Sequence, residues 1–142
     1  MPKVDNPIIF TVEGVPIPKG RPKFAVRGGF ARAYTPAKTR NYEELLATYA
    51  KIAMRTRKPL EGALKVEIKA FLPIPKATSK KARLDMLNNL SKHVKKPDAD
   101  NLFKVVDALN GICWLDDSQI VDGNIQKFYS DTPRLEVYIL EL

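Results

Sequence analysis

A chain of 142 residues is the length of one compact domain, and 44% hydrophobic with 28% charged residues is a globular rather than a disordered balance. No apolar run approaches the roughly 20 residues that span a bilayer, and residues 1–5 begin no export signal, so we expect a cytoplasmic protein without a membrane partner. The net charge of +8 favours an acidic partner, while one cysteine and one histidine exclude an internal disulfide and a Cys/His zinc site and leave oxygen ligands for any metal.

The N-terminal third predicts a strand, a basic loop and a helix. Residues 8–12 are β-branched and aromatic, which favours a strand. Residues 14–40 hold seven basic residues and no acidic one, interleaved with prolines and glycines, which predicts a loop with a short strand at residues 30–34. A capping hydroxyl and a proline at Thr35-Pro36 predict a helix start, and apolar residues continue at helical spacing as far as Ala53.

The middle of the chain predicts a strand followed by a short helix. Residues 64–70 alternate apolar and charged side chains, which is typical of a half-buried strand, and Pro73 and Pro75 end it. A cap at Thr78 or Ser79 then predicts a short basic helix running toward Leu90.

The C-terminal part predicts one helix and two strands. The helix covers residues 101–109 and stops at Asn110-Gly111, and the strands cover residues 118–130 and 134–142 with a turn between them. Because strands and helices are mixed without regular alternation, we predict a single α+β domain over residues 1–142, with a small mixed β-sheet flanked by helices.

The charge is distributed unevenly along the chain. Residues 1–96 carry 21 Lys and Arg against 7 Asp and Glu, whereas residues 97–142 carry 3 against 9. A basic body suits a polyanion such as DNA, but carboxylates repel phosphates. Divalent cations reconcile the two because they bind carboxylate and phosphate oxygens together, so the composition favours metal-dependent phosphate chemistry.

The acidic residues cluster around the helix predicted at residues 101–109. Its buried stripe is formed by apolar residues at helical spacing, namely Leu102, Val105, Val106 and Leu109. Asp100, Lys104 and Asp107 project from the opposite face. Pro97 places Asp98 just before the helix, in extended backbone that would point Asp98 and Asp100 the same way.

Two interpretations of this cluster remain open from the residues alone. In the first, Asp100 caps the helix and pairs with Lys104, and the other acids are solvated. In the second, the carboxylates hold Mg²⁺ for phosphodiester hydrolysis while Lys104 orients water or neutralises charge. The adjacent acids Asp116 and Asp117 favour the second, because neighbouring carboxylates repel unless a cation or solvent accommodates them.

At this point the sequence resembles the RusA family of Holliday junction resolvases. The resemblance extends from about residue 14 to residue 126, although the basic segment 76–96 is not matched residue by residue. It rests on Pro-Lys-Gly-Arg-Pro-Lys at 18–23, Tyr-Thr-Pro at 34–36, Tyr-Glu at 42–43, Lys-Pro-Asp-Ala-Asp-Asn-Leu at 96–102 followed by Lys104, Asp-Ala-Leu-Asn-Gly at 107–111 and Trp-Leu-Asp-Asp-Ser-Gln at 114–119.

The resemblance implies a homodimeric endodeoxyribonuclease that resolves four-way DNA junctions by paired symmetric nicks during recombination and repair, often of prophage origin. It assigns catalysis to Asp98, Asp100, Lys104 and Asp117, with the three aspartates holding Mg²⁺, or Mn²⁺ as a substitute, and no organic cofactor. Two further acids, Asp107 and Asp116, take supporting or structural positions.

The remaining predictions concern DNA contacts and the core. Seven cations without a counter-charge in residues 14–40 favour phosphate binding over a merely solubilising surface. The predicted DNA-binding residues are Lys19, Arg21, Lys23, Arg27, Arg32 and Lys96. Trp114 and Cys113 are expected in the core, and His93 is expected to face phosphate or solvent rather than act as a base.

Two other functions fit parts of the pattern. A non-catalytic DNA-binding recombination-accessory protein would explain the basic body but not the acids. A metal-dependent RNA nuclease or phosphatase would share the site and differ in substrate. For the homodimer, the candidate surfaces are the apolar face of the last strand, with Leu135, Val137 and Ile139, or the helix around residues 42–49.

Overall fold

The core lies between one face of a four-stranded sheet and the helices that cover it. A computed structural model describes residues 6–142, apart from the Arg27 side chain. The strands are β1 (Ile8–Glu13), β2 (Lys23–Arg27), β3 (Phe30–Tyr34), β4 (Leu64–Pro73), β5 (Ile120–Ser130) and β6 (Arg134–Glu141). The α-helices are α1 (Ala37–Met54), α2 (Lys80–Leu87) and α3 (Ala99–Phe103), and two 3₁₀ helices cover Lys104–Leu109 and Asp117–Gln119.

The sheet is mixed, with strand order β1-β6-β4-β5. β6 pairs antiparallel with both β1 and β4, whereas β4 and β5 are parallel. A parallel pair needs a long connection, and here that connection carries α2, α3 and both 3₁₀ helices. The predicted α+β domain with a small mixed sheet flanked by helices is therefore confirmed, and the parallel crossover is what brings the acidic segment beside β5.

The predicted alternation of β4 is confirmed. Every second residue from Leu64 to Leu72 is buried, and its neighbours face outward. On the opposite side of the core, α1 buries a stripe at four-residue spacing that includes Tyr42 and Leu46. The predicted cap at Thr35 is wrong, because Pro36 occupies the N-cap position and no side chain caps this helix.

The predicted basic loop contains a second strand that the sequence analysis missed. Strand β2 pairs with β3 in a hairpin, and Gly28 and Gly29 form its turn with positive φ angles. Apart from the Arg27 side chain, which lies outside the described part, most of the hairpin is exposed, including Phe24 and Phe30. Without a buried face, β2 carries no hydrophobic alternation that would distinguish it from a loop.

The two short helical segments follow the predictions with shifted bounds. Ser79 is the N-cap of α2 and its hydroxyl accepts a hydrogen bond from the amide of Ala82. The helix predicted over residues 101–109 begins at Ala99 and changes to 3₁₀ geometry at Lys104, and its predicted apolar stripe is buried. Gly111 follows its end with a positive φ, as a helix terminus favours.

The last strands form the centre and edge of the sheet. β6 runs between β1 and β4, so that Leu135, Val137 and Ile139 are buried inside the monomer. Tyr42, at one end of the other candidate dimer surface on α1, is buried as well. The apolar face of β6 was therefore wrongly chosen as a candidate dimer surface, because the core of this chain already covers it.

The predicted core residues near the end of the acidic segment are confirmed. Trp114 and Cys113 are fully buried, and the Trp114 indole donates a hydrogen bond to the side chain of Asn110. Burial raises the pKa of the Cys113 thiol to about 12. None of the helices within residues 6–142 has the length and hydropathy that a bilayer-crossing segment requires.

Candidate active site

Helix α3 contributes to two cavities. The smaller one, about 340 Å³, is lined by Phe103, Lys104, Asp107, Asp117 and the first residues of β5. The larger one, about 630 Å³, lies between the N-terminal loop, the end of β4 and the segment before α3, and includes Asp98 on its wall. The acidic segment therefore presents different carboxylates to two neighbouring depressions.

Two carboxyl groups meet in the smaller cavity. Asp107 comes from the 3₁₀ helix that follows α3, and Asp117 comes from the turn before β5. A hydrogen bond with Asp107, with lesser effects of burial and of the charges of Asp107 and Asp116, raises the pKa of Asp117. Two neighbouring carboxylates repel each other when no cation lies between them, which is why the pKa of one of them rises. A hard cation would relieve this repulsion, so this donor pair fits Mg²⁺.

The turn that carries Asp117 is held by its neighbours. Hydrogen bonds from the side chain and from the amide of Ser118 lower the pKa of Asp116, and the amide bond is 3.0 Å long. The Gln119 side chain accepts from the amides of Leu115 and Asp116 and donates to two carbonyls of the segment before β4. Asp116 is thus occupied by its own turn, which leaves Asp117 directed at Asp107.

A lysine from the N-terminal loop supports the pair. The ammonium group of Lys19 donates to Glu43 at 3.1 Å and to Asp107 at 3.4 Å. The carboxylate of Glu43 is largely buried, and both acids raise the pKa of Lys19 against the opposing effect of its burial. The predicted phosphate contact of Lys19 stays a prediction, but in this structure its charge is directed to Asp107.

The other predicted catalytic residues lie along the exposed side of α3. Lys104 lies 3.9 Å from Asp100, and both side chains are mainly exposed. Lys104 also lines the smaller cavity beside Asp107. The ion pair of the first interpretation is therefore present, and the same lysine is next to the carboxyl pair.

Asp98 is separate from this group. It is the N-cap of α3 in extended backbone, as predicted, but Asp100 is already inside the helix, so the prediction that both point the same way from an extended segment is wrong. Within residues 6–142, no three Asp, Glu, His or Cys side chains are close enough to hold a metal ion together. The predicted metal ligands Asp98, Asp100 and Asp117 are thus near one helix but not gathered around one point.

The predicted DNA-binding residues other than Lys19 are mostly exposed. Arg21, Lys23, Arg32 and Lys96 are all exposed, whereas the Arg27 side chain lies outside the described part. Arg21 and Lys96 line the larger cavity. Their contacts with DNA remain predictions.

Two residues that order the site give no signal of this role in the sequence. Glu43 was noted only as part of the family resemblance, yet it anchors Lys19. Lys127 on β5 donates to the carbonyls of Lys95 and Pro97 and so fixes the wall before α3. Neither has a local signal, because each acts on a segment more than 20 residues away. His93 was expected to face phosphate or solvent, but its ring packs on Tyr129 with centroids 4.8 Å apart.

Comparison with known proteins agrees with the resemblance. A family model described as endodeoxyribonuclease RusA matches residues 13–140. The chain is also 38% identical to YqaN of Bacillus subtilis (strain 168), described as an uncharacterized protein, over 138 residues that cover 95% of this chain and 96% of YqaN. Both similarities span the fold and the site together.

The raised pKa of Asp117 predicts a pH dependence of stability. Because the pKa of Asp117 is raised by folding, its contribution to stability is present below the ordinary carboxyl pKa of about 4 and is lost as the pH rises through the folded value. The free energy of unfolding of Asp117→Asn, taken relative to wild type, should therefore increase as the pH rises from about 3 to about 7. Urea unfolding at a series of pH values with a chelator measures this difference.

Asp131→Asn, in the exposed turn between β5 and β6, is the control for loss of one carboxylate. Its stability difference from wild type should change less with pH. A difference for Asp117→Asn that stays constant over the same range would contradict the raised pKa of Asp117.

Proposed function

Because this chain belongs to the RusA family of endodeoxyribonucleases, we propose that it is a Mg²⁺-dependent endonuclease that resolves four-way DNA junctions by paired nicks in recombination and repair. The observation that carries the proposal is the Asp107–Asp117 carboxyl pair, with Lys104 beside it, in a chain of net charge +8. Paired carboxyls repel phosphate, so their position within a basic body favours a role for a divalent cation between protein and DNA.

In the proposed site Asp117, with Asp107 next to it, would hold Mg²⁺. Asp98 and Asp100 are proposed as further ligands, whose carboxylates would have to move toward this pair when the ion and DNA bind. When bound, the ion supplies an activated water and stabilises charge on the phosphate oxygens. Lys104 lies on the exposed side of the helix, where its ammonium group would contact the phosphate and neutralise charge as it develops. The ammonium group of Lys19, which lies 3.4 Å from Oδ2 of Asp107, would keep that carboxylate in place.

The alternative of a non-catalytic DNA-binding accessory protein is less well supported. A protein that only binds DNA gains affinity by removing acids from the contact surface, because each carboxylate opposes phosphate binding. In this chain, by contrast, Lys19 forms ion pairs with Glu43 and Asp107. One cation of the basic region thus stabilises an acidic group near the surface.

Substitution of the proposed ligands separates cleavage from binding. Asp98→Asn, Asp100→Asn and Asp117→Asn should each lower junction cleavage by at least a hundredfold while binding is retained or tightened, because each removes a carboxylate that faces phosphate. Lys104→Ala should also lose cleavage and remain folded, since its side chain is exposed. Labelled four-way junctions with Mg²⁺, resolved on denaturing gels, measure cleavage.

Asp85→Asn on α2 provides a matched control for charge, because Asp85 lines neither cavity. Linear duplex of the same sequence is the control substrate. Near wild-type cleavage by all three aspartate variants would refute the site, and equal cutting of duplex and junction would refute the selectivity.

The basic N-terminal region is proposed to bind the phosphates of the junction arms. Arg21, Lys23 and Arg32 are exposed, and positive charge that neutralises phosphates releases counterions. Arg21→Ala, Lys23→Ala and Arg32→Ala should each weaken binding and reduce the slope of log affinity against log salt by about 0.9. Fluorescence anisotropy with an inactive variant at several salt concentrations measures the slope.

Lys19→Ala is the internal comparison, because its ammonium group is held by Glu43 and Asp107. It should reduce cleavage, and it should change the salt slope less than the three exposed variants do. Unchanged slopes for the three exposed variants would show that this region faces away from DNA.

The proposed reaction also requires a dimer. A four-way junction has approximate two-fold symmetry, and paired nicks need two active sites, whereas each chain offers one acidic cluster. An isologous dimer with two-fold symmetry would place one site on each of two strands. Light scattering at micromolar concentration should therefore give about twice the chain mass of 16.0 kDa. A chain that stays monomeric on junction DNA and still makes paired nicks would overturn this expectation.

A further inference from the structure

The larger cavity beside α3 has a size and a lining that the carboxylates do not explain. Its volume of about 630 Å³ is within the range of roughly 300–1,000 Å³ typical of pockets that bury small organic groups. Its walls combine apolar side chains, including Val15, Leu72 and Tyr129, with Lys38 and Lys96. An apolar interior with cations around it suits a flat organic group attached to a phosphate.

The cavity has fixed walls. Lys127 donates to the carbonyls of Lys95 and Pro97, which ties one wall to β5. The amide of Lys19 donates to the carbonyl of Asn101, and the amide of Gly20 donates to the hydroxyl of Thr39, which ties the opposite wall to α3 and α1. The space is therefore bounded by hydrogen-bonded segments.

One polar group on the wall has no partner on another residue within the described part of the chain. The Nδ1 atom of His93 is buried and makes no hydrogen bond to another residue there, while the ring packs on Tyr129. Burial, with the charges of Lys127 and Lys95, lowers the pKa of His93 and so favours the neutral ring. A neutral imidazole and a phenol ring are groups on which a nucleobase stacks or to which its edge can bind.

The position of the cavity connects it with the proposed reaction. Asp98 is on its wall, and about 9 Å of helical rise separates Asp98 from Lys104 beside the carboxyl pair. At about 3.4 Å per nucleotide of stacked strand, this distance corresponds to two or three nucleotides. A strand whose phosphate lies at the carboxylates would therefore pass the mouth of the cavity with a neighbouring nucleotide.

We propose that this cavity receives one unstacked nucleobase of the bound strand, within a few nucleotides of the scissile phosphate. The proposal rests on the proposed function for its substrate. Removing a base from the stack costs least where pairing is already broken, as at a branch point, so the cavity would favour branched over linear DNA. Stacking on His93 and Tyr129 would offset part of that cost, and Lys38 and Lys96 would contact the adjoining phosphates.

The test makes two separate changes: one base is removed from the DNA, and the cavity is filled by a substitution in the protein. Junctions carry one abasic nucleotide at each position near the cleavage site, and cleavage and binding are measured for wild type, with binding measured in the Asp117→Asn background. For wild type, one abasic position should reduce affinity and cleavage about tenfold, because base stacking on aromatic groups is lost. Val15→Trp fills the cavity from its exposed rim. This variant should already bind and cleave the intact junction as weakly as wild type does the abasic one, and an abasic nucleotide should not lower its affinity or cleavage further.

Val94→Trp is the matched control, because Val94 is highly exposed and lines neither cavity. It should keep the full abasic effect. His93→Ala is a second variant that reduces the effect without adding volume, and thermal unfolding checks that each variant is folded. Abasic sensitivity that persists unchanged in folded Val15→Trp and His93→Ala, or wild type that is insensitive at every position, would overturn the proposal.

The outcomes also distinguish this inference from the proposed function. Junction cleavage without any abasic effect rejects the base cavity and leaves the nuclease intact. An abasic effect on binding that is lost in Val15→Trp, without cleavage of any junction, supports the cavity and rejects the nuclease.

Discussion

The proximity of the carboxyl groups of Asp107 and Asp117 in one cavity is the constraint on which the site depends. Two neighbouring carboxylates oppose folding unless a proton or a cation lies between them, and the raised pKa of Asp117 reflects this. Each of the two aspartates is therefore held in place by residues from other segments of the chain. Lys19, anchored by Glu43 on α1, contacts Asp107, and Gln119 fixes the turn of Asp117 to the carbonyls before β4. An acidic pair maintained by such contacts in a basic chain is typical of a functional site rather than a solvated surface.

Helix α3 links this pair to the larger cavity. The helix is only five residues long, and its N-cap, Asp98, lies on the wall of the larger cavity, while its C-terminal end continues into the 3₁₀ helix that carries Asp107. The two ends of the helix would then recognise different parts of the DNA strand. The C-terminal end would contact the phosphate, and the N-terminal end would border the space for a base. In such an arrangement, orientation of the strand and access to the carboxylates depend on the same short element.

Sequence reasoning succeeded where one buried face imposes a period. The alternation of β4 and the apolar stripe that begins at Leu102 both predicted real elements, because a core accepts apolar residues only at intervals set by strand or helix geometry. It failed for strand β2, which lies in an exposed hairpin without a buried face and was taken for loop. It also named the apolar face of β6 as one candidate dimer surface, although that face lies in the core of the monomer, because a period shows that a face is apolar but not what covers it.

For the site, the sequence alone determined the chemical types: acids next to a lysine, a basic N-terminal region, and motifs that identify the family. It also placed Asp98 before a helix, because Pro97 restricts the preceding backbone and a helix begins soon after. Only the tertiary structure decided that Asp107 meets Asp117, that Lys19 is held by two carboxylates, and that Asp98 lies on another cavity. The reason is physical: local sequence governs backbone geometry over a few residues, whereas these contacts join segments that become neighbours only through the parallel pairing of β4 and β5 and the packing of α1.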